Sequence, residues 1–341
     1  MGATAMTTGR PGHRAAPPNA AYAGQIVHFP DPVRRTRHPQ GVRVDERGFP
    51  DFSPYARAAA EIAEPPDGFG IDELRLTDYV SANAALHAAG HELWGSLPPV
   101  ATPHGWTWHH VAGSRRLELV PAEVKSLLRH HGGLATTASA DHDKRGTRPL
   151  QETRPVHFGL RKDGVAVTEQ QVRDVEEELG YRLPGAYRTF LKAAGGSAPR
   201  GVALLPMLGL LIDQPFFTVR DEASPNDLVY VNKCLRDHLT KDYLAISYVQ
   251  GGVLAVKSRG ADLGSMWLCP YDDVRDTDGA FGSTEERAAG LLLPCGEDFD
   301  AFLAALAGDP PELETVANLM VDGGFARVVP VGAVSSSAVG E

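Results

Sequence analysis

Hydrophobic spacing divides the chain into stretches of different clarity. Residues 1 to about 20 are small, polar and proline-rich without any apolar period, and are expected to be disordered. From Tyr22 the text is structured but irregular. The stretch GVRVDERGFPDFSPYARAAAEI leads into a helix expected near Tyr55–Ile62, and Val80, Ala84 and Leu86 mark a second helix across Tyr79–Ala89. Trp108–Val111 and Leu117–Val120 read as short strands around a Gly113–Ser114 turn. Pro121 suits the first position of a helix with Val124, Leu127 and Leu128 on one face, which His130-His131-Gly132-Gly133 then ends. The local order is strand, turn, strand, helix.

Thr136 to Gly159 is polar, charged and proline-containing, and reads as an interdomain linker. Beyond it the signals sharpen. Thr168 with Gln171 makes a capping box, Val172, Val175 and Leu179 follow at helical spacing, and Gly180 stops that helix. Leu183-Pro184 opens another helix with Tyr187, Phe190 and Leu191 on its face, ending at Gly195-Gly196. YLAISYV, VLAVKS and MWLCPY read as strands with glycine turns such as Gly251-Gly252 between them, and Phe299, Phe302, Leu303 and Leu306 form a closing amphipathic helix. The expected organisation is a disordered 1–20, a domain over 21–136, a linker over 137–160, a second domain over 161–310 and a poorly patterned tail over 311–341.

Composition separates the two halves further. At 341 residues the chain can bury two cores. Basic and acidic residues nearly balance in the first 150 positions, so the acidic excess behind the net charge of −10 lies wholly in the rest, whereas all but two of the 13 histidines lie in the first part. The halves are chemically different. The most apolar run, GVALLPMLGLLI, is too short to span a bilayer and contains Pro206, and the start has no apolar leader core, so a cytoplasmic protein without a membrane partner is expected. Cys234, Cys269 and Cys295 are odd in number and far apart, which fits buried small hydrophobes rather than a zinc cage or a disulfide framework.

The chemistry sits in TWHHVAGSRRLELVP and the HHGG that follows. Two strand-end histidines, a hairpin and a helix with a further histidine make a minimal ββα-metal arrangement. Neighbouring strand residues point to opposite faces, but a distortion at the strand end would aim both imidazoles inward. One would then ligate a divalent ion while its neighbour takes a proton from water, and the ion would stabilise charge on the scissile phosphate. This stretch resembles the WHH branch of the HNH/endonuclease VII (His-Me finger) nucleases, with similarity over roughly Tyr22 to Ala135. The resemblance implies His110 as general base, His109 and His130 on the metal side with help from His131, and a divalent ion (Mg, Mn or Zn) as cofactor. DNA or RNA would be the substrate, with Arg115 and Arg116 of the turn meeting its phosphates. One position departs: the mid-helix histidine usual in the family is replaced by Lys125, a cation that cannot ligate a metal unless its pKa falls sharply.

In the second half, VTEQQVRDVEEELGYRLPGAYRTFLKAAGG resembles the opening of SUKH domains of the Smi1/Knr4 superfamily, with similarity over about Val165 to Gly308. The implied fold class is α+β throughout: a ββα-metal finger, then a SUKH domain with an antiparallel sheet and flanking helices. Bacterial SUKH domains are mostly immunity proteins, and an acidic surface suits binding to a nuclease cleft. Two functions are therefore expected. One is a metal-dependent nuclease from a bacterial polymorphic toxin–immunity system, whose SUKH domain binds a cognate toxin or its own nuclease half. The other is a non-catalytic immunity or decoy protein.

Overall fold

The computed structural model describes residues 17–64, 71–130, 133, 166–199, 202–205, 208, 210–220, 223–273, 275–308 and 326–331. The linker expected over 137–160 lies outside them. The mixed α+β class is as expected, with antiparallel sheets and helices in both halves.

The first half opens with strand β1 (Ile26–Val27), helix α1 (Pro32–Arg37), β2 (Val42–Val44) and β3 (Pro50–Asp51), where β1-β2-β3 form a small sheet. Asp31 caps α1 by accepting from the Arg34 amide at 2.9 Å. Then come β4 (Ala58–Ile62), α2 (Ile71–Ala88), β5 (Trp106–His110), β6 (Arg116–Pro121) and the one-turn helix α3 (Ala122–Lys125). The expected helix near Tyr55–Ile62 is instead a 3-10 turn over Ser53–Tyr55 followed by β4. Alanine favours helix, but β4 gains two ladder partners, and Ala58 and Ala60 are small enough to let α2 pack closely over the sheet. Residues expected to be disordered also have a place from Pro17 onward. Asn19 is buried and its amide donates to the Arg129 carbonyl.

In the second half, α4 (Glu169–Leu179) carries the expected capping box of Thr168 and Gln171, and Gly180 at φ 80° ends it. The helix α5 (Gly185–Ala194), β7 (Ala203–Leu205), β8 (Leu210–Ile212) and α6 (Leu228–Cys234) follow. An antiparallel sheet of β9 (Tyr243–Val249), β10 (Gly252–Lys257) and β11 (Met266–Pro270) is completed, after α7 (Thr284–Leu291), by β12 (Leu293–Gly296). Last come α8 (Phe299–Ala305), β13 (Ala307–Gly308) and β14 (Ala326–Val329). The stretch expected to be an unpatterned tail thus contains a strand. It joins the first half's sheet, whose order is β14-β4-β6-β5, with Ala326 opposite Ile62 and Val329 opposite Ala59.

The two halves share their cores. On β7 and β8, Ala203, Leu205, Leu210 and Ile212 enter the C-terminal core. Val202, Leu204 and Leu211 face the other way and pack with α2 residues and Trp108 of the first half. A buried polar network seals this junction. The Asp213 carboxylate accepts from the Thr102 amide (3.0 Å) and from the side chains of Gln250 and Gln214 (both 3.1 Å), while Gln214 Oε1 accepts from the Gly105 amide at 2.7 Å. Burial pushes the Asp213 carboxyl upward, and these donors hold it back. On the opposite side Arg34 of α1 reaches the Tyr248 hydroxyl (3.2 Å) and Ser126 Oγ (3.3 Å), and the Tyr230 hydroxyl donates to Asp31 at 2.7 Å. Burial would raise the Glu123 carboxyl, but the His38 hydrogen bond and the charges of Arg37 and Arg34 outweigh it and hold it low.

Shared burial predicts joint unfolding. Leu211→Ala, at a side chain 1% exposed, is expected to cost about 3 kcal/mol. In urea, far-ultraviolet dichroism and tryptophan fluorescence should shift together in a single transition. Two separated transitions would show that the halves fold independently.

Candidate functional site

The β5–β6 hairpin places the paired histidines by its register: His109 lies opposite Glu118, and His110 opposite Leu117. Strand alternation then sends them to opposite faces of the sheet, so the expected inward convergence of both does not occur. Trp108 and His110 face α2. The Trp108 indole donates to Asn83 Oδ1 at 2.8 Å, and His110 Nε2 lies 3.0 Å from Asp78 Oδ2. Arg115 Nη2 donates to the other Asp78 oxygen at 2.7 Å, and the Tyr79 ring lies 5.3 Å from that of His110. The His110 and Asp78 side chains are each 2% exposed.

His109 points to the other face, where Phe52 and His130 meet it edge-on, each with ring centroids 4.9 Å away. It is buried, and its Nδ1 has no hydrogen-bond partner among the described residues. Burial depresses its pKa well below the usual imidazole range, and the charges of His130 and Lys125 add to the effect. His130 is held by the C-terminal half: its amide donates to the Tyr271 carbonyl at 3.0 Å, and it forms a parallel bridge with Asp272. Its Nδ1 lies 3.2 Å from the Leu128 carbonyl. Gly133 passes over the hairpin end so closely that a Cβ there would sit 2.1 Å from the Val111 carbonyl oxygen, which explains why the HHGG segment ends on a residue without a side chain. His131 lies outside the described residues.

Lys125 is the last residue of α3. Its side chain is buried, and Nζ donates to the Trp108 carbonyl at 2.5 Å, immediately before His109 in sequence. Burial lowers its pKa to about 8; the Asp272 carboxylate opposes that fall, while Arg75 adds to it. At neutral pH the group is an ammonium. Among the described residues the donors do not fit a divalent ion. Among the described residues, His109 Nδ1 is a buried nitrogen without a hydrogen-bond partner, the one imidazole brought to it is that of His130, and a cation is lodged beside them. Among the described residues, no group of three or more His, Cys, Asp or Glu is arranged to hold a metal.

The two arginines expected to meet phosphates are engaged within the protein. Besides Asp78, Arg115 bonds the Ala63 carbonyl at 3.2 Å, while Arg116 is buried against Glu118 (3.0 Å) and the Pro330 carbonyl (3.0 Å). Asp78, Phe52, Asp272 and Arg129 were not singled out by sequence reasoning. For Asp78 a signal existed, an acidic residue directly beside the apolar Tyr79 and Val80 of the expected helix face. Asp272 carried none, since its proximity arises only from tertiary packing.

Arg129 fixes the segment from the far side. Its Nε donates to His238 Nδ1 at 3.0 Å, and His238 Nε2 in turn lies 2.7 Å from the Ser126 carbonyl. Accepting at Nδ1 requires a neutral imidazole, and burial with the nearby Arg129 charge lowers the His238 pKa to about 3.

Two family models match this chain. Residues 98–140, which span the hairpin, α3 and His130, match a nuclease of the HNH/ENDO VII superfamily with conserved WHH. Residues 166–305 match the SMI1/KNR4 family (SUKH-1). A WHH nuclease-family domain and an SMI1/KNR4 domain are thus present in one chain, as the sequence resemblances implied. No curated protein matches the sequence. No helix among the described residues is long and apolar enough to cross a membrane.

The His238 contact sets a pH dependence. Its folded pKa lies below the ordinary 6.5, so the stability it contributes is complete above pH 6.5 and is lost as pH falls toward about 3. The slope is at most about 1.4 kcal/mol per pH unit. Urea titrations at pH 7 and pH 5 should show this loss in the wild type and a smaller one in His238→Gln. An equal loss in both would remove His238 as its source.

Proposed function

We propose that the protein acts by binding, as the immunity-type partner of a nuclease in a bacterial toxin–immunity system. Its nuclease-family finger is a closed structural element rather than a working catalyst. The observation that carries this reading is the closure of both faces of the hairpin: His110 is 3% exposed beneath Asp78 and Tyr79 of α2, and on the other face His109, Lys125 and His130 are under 5% exposed with Tyr271 and Asp272 of the SUKH-1 domain on His130. A phosphodiester has no route to a general base buried in this way. The SUKH-1 domain carries the recognition. It holds most of the acidic excess, with Asp174, Glu177 and Glu178 of α4 and Glu285 and Glu286 of α7 on its surface. Such a surface steers association with a basic nuclease cleft.

The opposing reading is metal-dependent phosphodiester hydrolysis of DNA or RNA. One observation favours it: Asp78 and Arg115 orient His110 as a carboxylate orients a catalytic imidazole. That reading requires α2, which lays Asp78 and Tyr79 on His110, to open, and the SUKH-1 domain to move off His130.

Nuclease assays on the full chain decide between them. Supercoiled plasmid and single-stranded RNA, each with Mg²⁺, Mn²⁺ or Zn²⁺, should be cut no faster than by His110→Ala. Co-expression with a cognate toxin nuclease should restore host growth. Metal-dependent cutting that His110→Ala abolishes would establish the enzyme reading instead.

A further inference from the structure

The cluster around His109 is built as a cation site and already contains its cation. Lys125 Nζ is fixed on the Trp108 carbonyl at 2.5 Å, with the side chain 1% exposed. The adjoining groups suit a positive charge. A backbone carbonyl accepts from it, two imidazoles stack edge-on at 4.9 Å, and the Asp272 carboxylate of the SUKH-1 domain acts on it as countercharge. Arg75 Nη2 donates to the Asp272 carbonyl at 3.2 Å and so holds that segment of the second domain in place over the finger.

We infer that the Lys125 ammonium is the resident cation of this finger, supplying the positive charge that the cluster needs and excluding a divalent metal from it. A long alkyl stem carries the charge into the interior, and the Trp108 carbonyl and Asp272 keep it there. A second cation beside it would meet strong repulsion in a medium of low dielectric. His109 Nδ1, which has no hydrogen-bond partner among the described residues, is then a nitrogen that the cluster leaves without an ion. The finger's geometry depends on Lys125 and on the neighbouring domain, and chelators leave it intact. This inference stands apart from the proposed function. Metal-free cutting would refute that function and leave this inference untouched, while metal binding without cutting would do the reverse.

Calorimetric titration of the full chain with ZnCl₂ and MnCl₂, beside thermal melts in EDTA and in each metal, tests it directly. The expected result has three parts: no saturable one-site binding that depends on His109, a Tm unchanged between EDTA and metal, and a Tm lowered in Lys125→Met by at least about 3 °C through the loss of a buried hydrogen bond. Failure of Lys125→Met to fold counts as that loss, and the wild-type titration then decides alone. Saturable binding by the wild type that His109→Ala removes would overturn the inference. So would a Lys125→Met protein as stable as the wild type. Binding that survives His109→Ala lies elsewhere and leaves the cluster metal-free, as inferred.

Discussion

The short ladder of β7 and β8 carries apolar side chains on both of its faces, and its alternation distributes them between two cores. Leu205, Leu210 and Ile212 belong to the SUKH-1 core, while Leu204 and Leu211 are buried against α2 and Trp108. A strand pair buried on both faces cannot be withdrawn from either side without exposing the other. The arrangement of finger and second domain follows from that constraint. The Asp213–Gln214–Gln250 network, the Arg34 contacts and the seat of Arg129 on His238 are polar fastenings around an apolar join.

This join governs the chemistry of the finger. A domain docked at His130 brings low dielectric and excludes water, which keeps His109 neutral and lets a single ammonium dominate the local field. His110 on the opposite face is bound into an Asp78–Arg115 cluster of its own. The adjacent imidazoles therefore occupy two electrostatically separate environments. In one a carboxylate accompanies the ring; in the other a cation does.

Local signals in the sequence were legible wherever short-range physics decides structure. The capping box at Thr168, the stop at Gly180 and the three strands from Tyr243 to Pro270 follow from side chains within a few residues of one another. The β5–β6 hairpin and the pattern of its motif were equally readable. Ala58–Ile62 was misjudged because sheet pairing with β6 and β14 overrode the helix preference of alanine. The candidate site was half legible. Residue types and spacing located His109, His110, Lys125 and His130, but not the faces they take, and the sequence separation of Asp272 from His130 hid what covers them. Lys125 could be recognised as a departure from the family pattern, though not as a group with its own hydrogen bond and countercharge.

The edge strand β14 has a consequence for how the chain comes into being. Glu61 and Arg327, ion-paired across the β4–β14 ladder, are separated by 266 residues of sequence. During synthesis from the N-terminus, the finger's sheet lacks its outer strand until residues 326–329 have left the ribosome. By then the SUKH-1 domain that covers His130 has already been made. The nuclease-family half is thus never a finished object in the absence of its cover, because the order of translation places the domain that lies on His130 before the strand that closes the sheet.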